Sequence, residues 1–210
     1  CTGLMDVSIP DSVTYIGYGA FEDSGIYNAF NFDGNVFYID NALIRASENL
    51  SGEYAIKEGT TAIAEAAFAN ARELTDVVVP NSIKVIARRT FDECVSLRKV
   101  VLSDGLKEIG DRAFSNCSSL SNIHIPDTVI AVDDYAFYRC AKLSSVNLGG
   151  VIYLGNYAFS KCTKLENAYL GKQLASIGEC TFEKTAIWLP SSTGIISPHI
   201  VITVSRPMVL

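Results

Sequence analysis

Apolar positions return along this chain on two scales. Locally they alternate with polar ones, as in Val77-Val78-Val79 and Ile123-His124-Ile125, the in–out–in period of a half-buried strand. Over longer distances the whole pattern repeats. Phe68, Phe91, Phe114, Phe137, Phe159 and Phe182 are separated by 23, 23, 23, 22 and 23 residues, and Phe21 stands 47 residues before Phe68. A period in the twenties marks a stack of similar coils with no single globular core. Aligned on phenylalanine, one unit places Cys94, Leu97, Val100, Leu102, Leu106, Ile109, Ala113 and Phe114 at its apolar positions, and the next opens at Cys117. One coil alone cannot bury such a set, but stacked neighbours can. The fold expected is a mainly β solenoid with parallel strands, short second strands and a phenylalanine ladder that sets the registry between coils.

Each part of the unit has a physical role. Pro10, Pro80, Pro126 and Pro190 follow the first strand and, lacking an N–H, close it. The short second strand ends at Gly17, Gly110, Gly155 or Gly178, read here as a turn that needs unusual backbone angles. Residues 22–56 break the period. Within them Val36–Ile39 and Ala42–Arg45 read as two strands around Asp40-Asn41, so one inserted β-hairpin is expected to replace part of a coil. The repeat resumes at Tyr54–Ile56, with Lys57 in the proline position. The solenoid is expected to span residues 1–190, leaving 191–210 as a cap or tail with a last strand near Ile200–Val204.

The unit reads C-x-x-L-x-x-[IV]-x-[IVL]-P-x-x-[VIL]-x-x-I-G-x-x-A-F. It resembles the BspA-like leucine-rich repeats, notably in residues 9–21 (IPDSVTYIGYGAF), 111–129 (DRAFSNCSSLSNIHIPDTV) and 135–148 (YAFYRCAKLSSVNL). The resemblance implies a right-handed leucine-rich-repeat stack. It also implies a non-catalytic, cell-surface or secreted bacterial protein that adheres to host matrix proteins, other cells or mucosal surfaces, with a protein or glycan partner. The alternative is a structural spacer that presents a neighbouring domain or anchor. Cys1, Leu4, Val7, Ile9 and Pro10 fall in register with the later units, so Cys1 reads as a repeat cysteine in a piece of a longer chain.

Composition narrows the partners. The net charge of −6 argues against a general nucleic-acid binder, which needs a basic surface. No run of 18 apolar residues spans a membrane. Cys94, Cys117, Cys140 and Cys162 share one repeat position and are expected as an inward ladder of free thiols, whose straight line suits neither a tetrahedral metal site nor disulfides. Cys180 occupies another position and is expected to stay unpaired. No catalytic or cofactor motif emerges, and no cofactor or metal is implied. His124 and His199 belong to no triad pattern, and Asp92-Glu93 and Asp133-Asp134 read as solvated turn carboxylates.

Candidate binding residues come from the outward position of the long strand. In chain order it holds Ser8, Val78, Val101, His124, Asn147, Tyr169 and Trp188. The row turns from aliphatic to polar to aromatic, and Tyr and Trp are the side chains that most often anchor interfaces. His124, Asn147, Tyr169 and Trp188 are therefore the candidate partner surface, set against the plainer reading that Tyr169 and Trp188 pack under the tail. A second candidate is a sugar-stacking cleft of Tyr27, Phe30 and Tyr38. An enzyme site from Tyr27, Tyr38, Asp33, Asp40 and Arg45 has no ordered spacing behind it.

Overall fold

The structure is a computed structural model that describes residues 2–33 and 35–187 and the backbone of 201–203. After a four-residue helix α1 (Gly25–Asn28) come β1 (Val36–Ile39) and β2 (Ala42–Ala46), antiparallel around Asp40 and Asn41. The expected hairpin is there, and β2 joins the stack by pairing in parallel with β4. The chain then alternates a longer strand with a two-residue one. These are β3 (Ser51–Ala55) and β4 (Ala62–Ile63), β5 (Glu73–Val78) and β6 (Val85–Ile86), then β7 (Lys99–Val101) and β8 (Glu108–Ile109). One coil contributes only the short β9 (Ala131–Val132). The last pairs are β10 (Ser145–Leu148) with β11 (Tyr153–Leu154) and β12 (Asn167–Leu170) with β13 (Ser176–Ile177).

The result is a parallel-strand β-solenoid with almost no helix, as expected. The short strands form one five-stranded parallel sheet, β6-β8-β9-β11-β13. The long strands form two separate three-stranded sheets, β3-β5-β7 and β10-β12-β14, where β14 (Val201–Thr203) lies antiparallel beside β12. Between them Ile123-His124-Ile125, expected as a strand, runs without ladder pairing, although Ile123 and Ile125 still point inward and His124 outward.

The core is a set of ladders. Phe68, Phe91, Phe114, Phe137 and Phe159 are fully buried, and successive rings through Phe182 stack 5.1–5.6 Å apart, within 19° of parallel. Such offset stacking adds about 0.5–1.5 kcal/mol per pair beyond burial. The cysteine ladder runs beside it. Each thiol of Cys94, Cys117, Cys140 and Cys162 donates to the carbonyl of a phenylalanine one coil back, at 3.1–3.2 Å. All four are free and buried, and burial pushes the Cys94 thiol up to about 12.

The closing arc holds a device that the residue types do not announce. The residues two before and two after each phenylalanine have positive φ, for example Arg112 (54°) and Asn116 (59°), Tyr135 (56°) and Arg139 (59°). The same holds around Phe21, at Gly19 (66°) and Asp23 (58°). In the stack these kinks alternate the backbone so that every second N–H aims at the next coil, while those between donate within their own coil. Arg112, Phe114 and Asn116 donate to Asp134, Ala136 and Tyr138 at 2.7–3.0 Å. A left-handed non-glycine residue costs about 1–2 kcal/mol, which these inter-coil bonds offset.

The repeat glycine turned out to have a different reason. Gly17, Gly110, Gly155 and Gly178 do not have positive φ. At Gly155 and Gly178 an added Cβ would overlap the backbone of the preceding coil, so these two coils need a missing side chain there, whereas Ala64, Ala87 and Asp133 fill the same position elsewhere in the stack.

Candidate functional site

The structure brings together part of the outward row. Val78 faces Val101 across β5 and β7, and Asn147 faces Tyr169 across β10 and β12. Ala55 precedes Val78 in the row, a member the repeat alignment left out. Ser8 lies in the first segment, residues 2–33, which forms no strand. His124 is exposed on the unpaired coil between the two sheets. Trp188 and Pro190 lie outside the described residues, as does the expected 191–210 tail apart from the β14 backbone.

Asn147 and Tyr169 line an open groove of about 460 Å³ together with Asp127, Gly149, Gly150, Lys172 and Gln173. Its origin is a missing residue. Ile125 to Val129 takes four steps, whereas Leu148 to Val151 takes three, and this is the residue lost between Phe137 and Phe159. The shortened turn, Gly149-Gly150, lies hard against its neighbours. An added Cβ at Gly150 would overlap the Asp127 carbonyl, and one at Gly171 the Gly149 carbonyl. At Gly149 it would stand 3.2 Å from both Asn147 Oδ1 and Asp127 Oδ1 and 3.5 Å from Tyr169 Cε1, so these three side chains converge on a bare backbone.

The groove is partly preorganised. The Gly149 N–H donates to Asn147 Oδ1 at 3.0 Å, which holds the Asn147 side chain over the turn. Gln173 Nε2 donates to the Gly150 and Gly149 carbonyls at 2.7 and 3.3 Å and clamps the turn from the next coil. Tyr169 is 45% exposed and presents a ring at the rim. One carboxylate, Asp127, and one ammonium, Lys172, balance each other in charge. The surface thus offers a ring face between hydrogen-bond donors and acceptors, chemistry suited to a neutral polar partner. Sequence reasoning missed Asp127, Gly149, Gly150, Lys172 and Gln173. The 22-residue spacing was the signal that could have found them.

The other candidates resolve differently. Tyr27 and Phe30 pack with Phe32 against buried Phe37, with ring centroids 4.8–6.1 Å apart, and also line an open groove of about 600 Å³. Tyr38 is not in it; it faces the stack, 3.4 Å from the Tyr54 hydroxyl, with Lys57 over its ring. Of the loose enzyme set, Tyr27, Asp33 and Arg45 line that groove, whereas Tyr38 faces the stack and Asp40 accepts from the Ile9 N–H. Asp92 is no solvated carboxylate: it is buried and accepts from Arg89 at 2.9 Å. Asp133 is half-buried, and burial followed by Glu108, Asp134 and Asp111 raises its carboxyl to about 6. Among the described residues no three His, Cys, Asp or Glu side chains gather as a metal site, and no helix is long and apolar enough to cross a membrane.

Comparison with known proteins bears on the whole stack. The model of the BspA type leucine rich repeat region matches residues 1–98 and 84–194, in six copies. No curated protein matches the sequence. Among solved structures, the chain is similar to a T. pallidum leucine-rich repeat protein (26% identity, TM-score 0.58, covering 64% of this chain and 67% of that one). It is also similar to a leucine-rich cell surface protein from Faecalibacterium prausnitzii (28%, 0.62, covering 76% and 52%). The pneumococcal vaccine antigen PcpA shares the fold at 18% identity (0.55, covering 80% and 42%). The chain thus spans about half the length of the Faecalibacterium protein and less of PcpA.

Proposed function

We propose, on the premise that this chain belongs to the BspA-type leucine-rich repeat family, that it is a non-catalytic binding module displayed at a bacterial cell surface or secreted. Its partner surface is the groove at Asn147 and Tyr169, and its partner is a protein or glycan on a host or neighbouring cell. The observation that carries this reading is the convergence of Asp127, Asn147 and the exposed Tyr169 ring on the bare Gly149 backbone. A rigid solenoid holds such a constellation without loop entropy to lose on binding. The similar Faecalibacterium protein is a leucine-rich cell surface protein, which supports the location.

The test is an array of extracellular-matrix proteins, mucins and neutral glycans. Wild type is compared with an Asn147→Ala/Tyr169→Ala variant of unchanged melting temperature. A hit that weakens at least tenfold in the variant supports the groove. A hit that survives keeps a binding module but removes this site. No hit, with positive controls working, favours the spacer.

A further inference from the structure

A second surface lies at another corner of the coil, in the arc between phenylalanine and cysteine. The residue two after each phenylalanine is held there with positive φ, and the series reads Glu93, Asn116, Arg139, Lys161, Lys184. The position two after each cysteine changes in step: Ser96 and Ser119 are followed by Lys142 and Lys164. In a chain of net charge −6, residues 135–187 carry six basic and three acidic side chains, the acids being Glu166, Glu179 and Glu183. Five of these cations, Arg139, Lys142, Lys161, Lys164 and Lys184, fall at the two repeat positions of this arc, whereas Lys172 lines the Tyr169 groove.

The edge that this arc forms is grooved. Arg139, Lys161 and Lys184 line an open channel of about 550 Å³ with Ser118, Ala141 and Thr163, and its one acidic lining residue, Glu93, is paired with Arg72 at 3.4 Å. It shares no lining residue with the Tyr169 groove. Tyrosines stand among the cations. Tyr135 stacks on Tyr157 at 5.0 Å, 8° from parallel, and meets Tyr138 edge-on at 5.5 Å. Arg139 and Lys161 lie over the Tyr138 ring at 5.2 and 4.9 Å, and Lys161 also donates to its hydroxyl. Arg112, over Tyr135, pairs with Asp111, which Arg88 shares, and Lys184 has Glu183 at 3.7 Å. Arg139, Lys142, Lys161 and Lys164 have no ion-pair partner among the described residues.

We infer that this edge is a binding site for an acidic glycan, one bearing sulfate or carboxylate groups along a linear chain. The rim repeats a cation once per coil, about 4.8 Å apart, which matches a chain that repeats its anions. The Ser118 and Thr163 hydroxyls donate to the Val95 and Ala141 carbonyls, which leaves their oxygen lone pairs to accept from sugar hydroxyls. The cationic run spans only three coils, and Asp133, Asp134 and Glu179 lie on the same coils beyond it. A duplex nucleic acid would need a longer basic footprint.

The probe is heparin, with neutral dextran, a single-stranded DNA oligomer and vesicles containing anionic lipid as parallel arms. The variant is Arg139→Asn/Lys161→Asn/Lys184→Asn, because Asn70 and Asn116 already hold this position at φ 64° and 59° and the arc keeps its fold. The expected result is heparin binding that weakens with salt, falls at least tenfold in the variant, and is unchanged in Tyr169→Ala and in a Lys84→Asn/Lys107→Asn control. Three outcomes overturn the proposal: no heparin binding at physiological salt, binding indifferent to the triple substitution, or equal or tighter binding of DNA or vesicles. Retention in Tyr169→Ala separates this site from the groove at Asn147.

Discussion

The two three-stranded sheets each carry two neighbouring parallel strands of the repeat, but their third strand, parallel β3 in one and antiparallel β14 in the other, and their exits differ. In β3-β5-β7 the outward row is Ala55, Val78 and Val101, and the strands of the last two coils leave through Pro80 and Ser103. In β10-β12-β14 the row holds Asn147 and Tyr169, and the exits are Gly149 and Gly171. Burial behind both is the same, with Val77, Val100, Val146 and Ala168 at 5% exposure or less. Scaffold and surface are therefore separable: one inward pattern supports an aliphatic face or a grooved polar one, the difference lying in the outward side chains and in the shortened Gly149-Gly150 turn.

The largest effect is expected where both halves depend on one element. Phe114→Ala removes a fully buried ring from the middle of the ladder and should cost about 3–5 kcal/mol. Chemical denaturation should then show two transitions, because coils couple only through their neighbours. A single unshifted transition would mean the ladder does not join the halves.

Next comes a matched glycine pair. Gly150→Ala drives a methyl into the Asp127 backbone and should cost about 1–3 kcal/mol and narrow the groove. Gly105→Ala, at the strand exit in the other half, meets only the mobile end of Lys84 and should change stability by less than about 0.5 kcal/mol. Equal melting shifts in the two variants would contradict the close-approach explanation.

Asp133 lies on the coil that joins the two sheets, and its folded carboxyl is raised to about 6, above the unfolded value near 3.9. The folded state holds this proton more tightly. Its stability contribution is thus fully present below about pH 4 and lost as pH rises to 6. Half exposure reduces the effect to about 1–2 kcal/mol. Asp133→Asn should be more stable than wild type at pH 7, with the gap closing by pH 4; a constant gap would refute the assignment.

The smallest effect is chemical. The ladder thiols should stay silent to a thiol reagent in the native protein, whereas exposed Cys180 reacts. Cys180→Ser should remove one fast-reacting equivalent and leave stability nearly unchanged.

The sequence made the stack readable because burial is periodic. The phenylalanine spacing marked the ladder, the cysteine position marked the thiols, and Asp40-Asn41 marked the hairpin. Three features escaped for physical reasons. The left-handed arc was hidden because Arg, Tyr, Glu and Lys occupy positions that elsewhere favour glycine, held there by hydrogen bonds to the next coil. The glycine was assigned to backbone angle because contact between coils is invisible in one repeat. Residues 9–21 match the repeat as well as any stretch, yet residues 2–33 form no strand. Gly19 and Asp23 keep the local kink there, so the turn is encoded locally while the sheet needs neighbours. At the groove, the alternation exposed Asn147 and Tyr169, but Asp127, Lys172 and Gln173 join only through the shortened turn.

The most direct measurement compares Tyr169→Ala with Val78→Ala, the same outward position in the two sheets, for binding of a partner found on the array. Tyr169→Ala should lose at least tenfold and Val78→Ala should change less than twofold. Equal losses, or a loss confined to Val78→Ala, would contradict the claim that the grooved half of the sheet is the binding face.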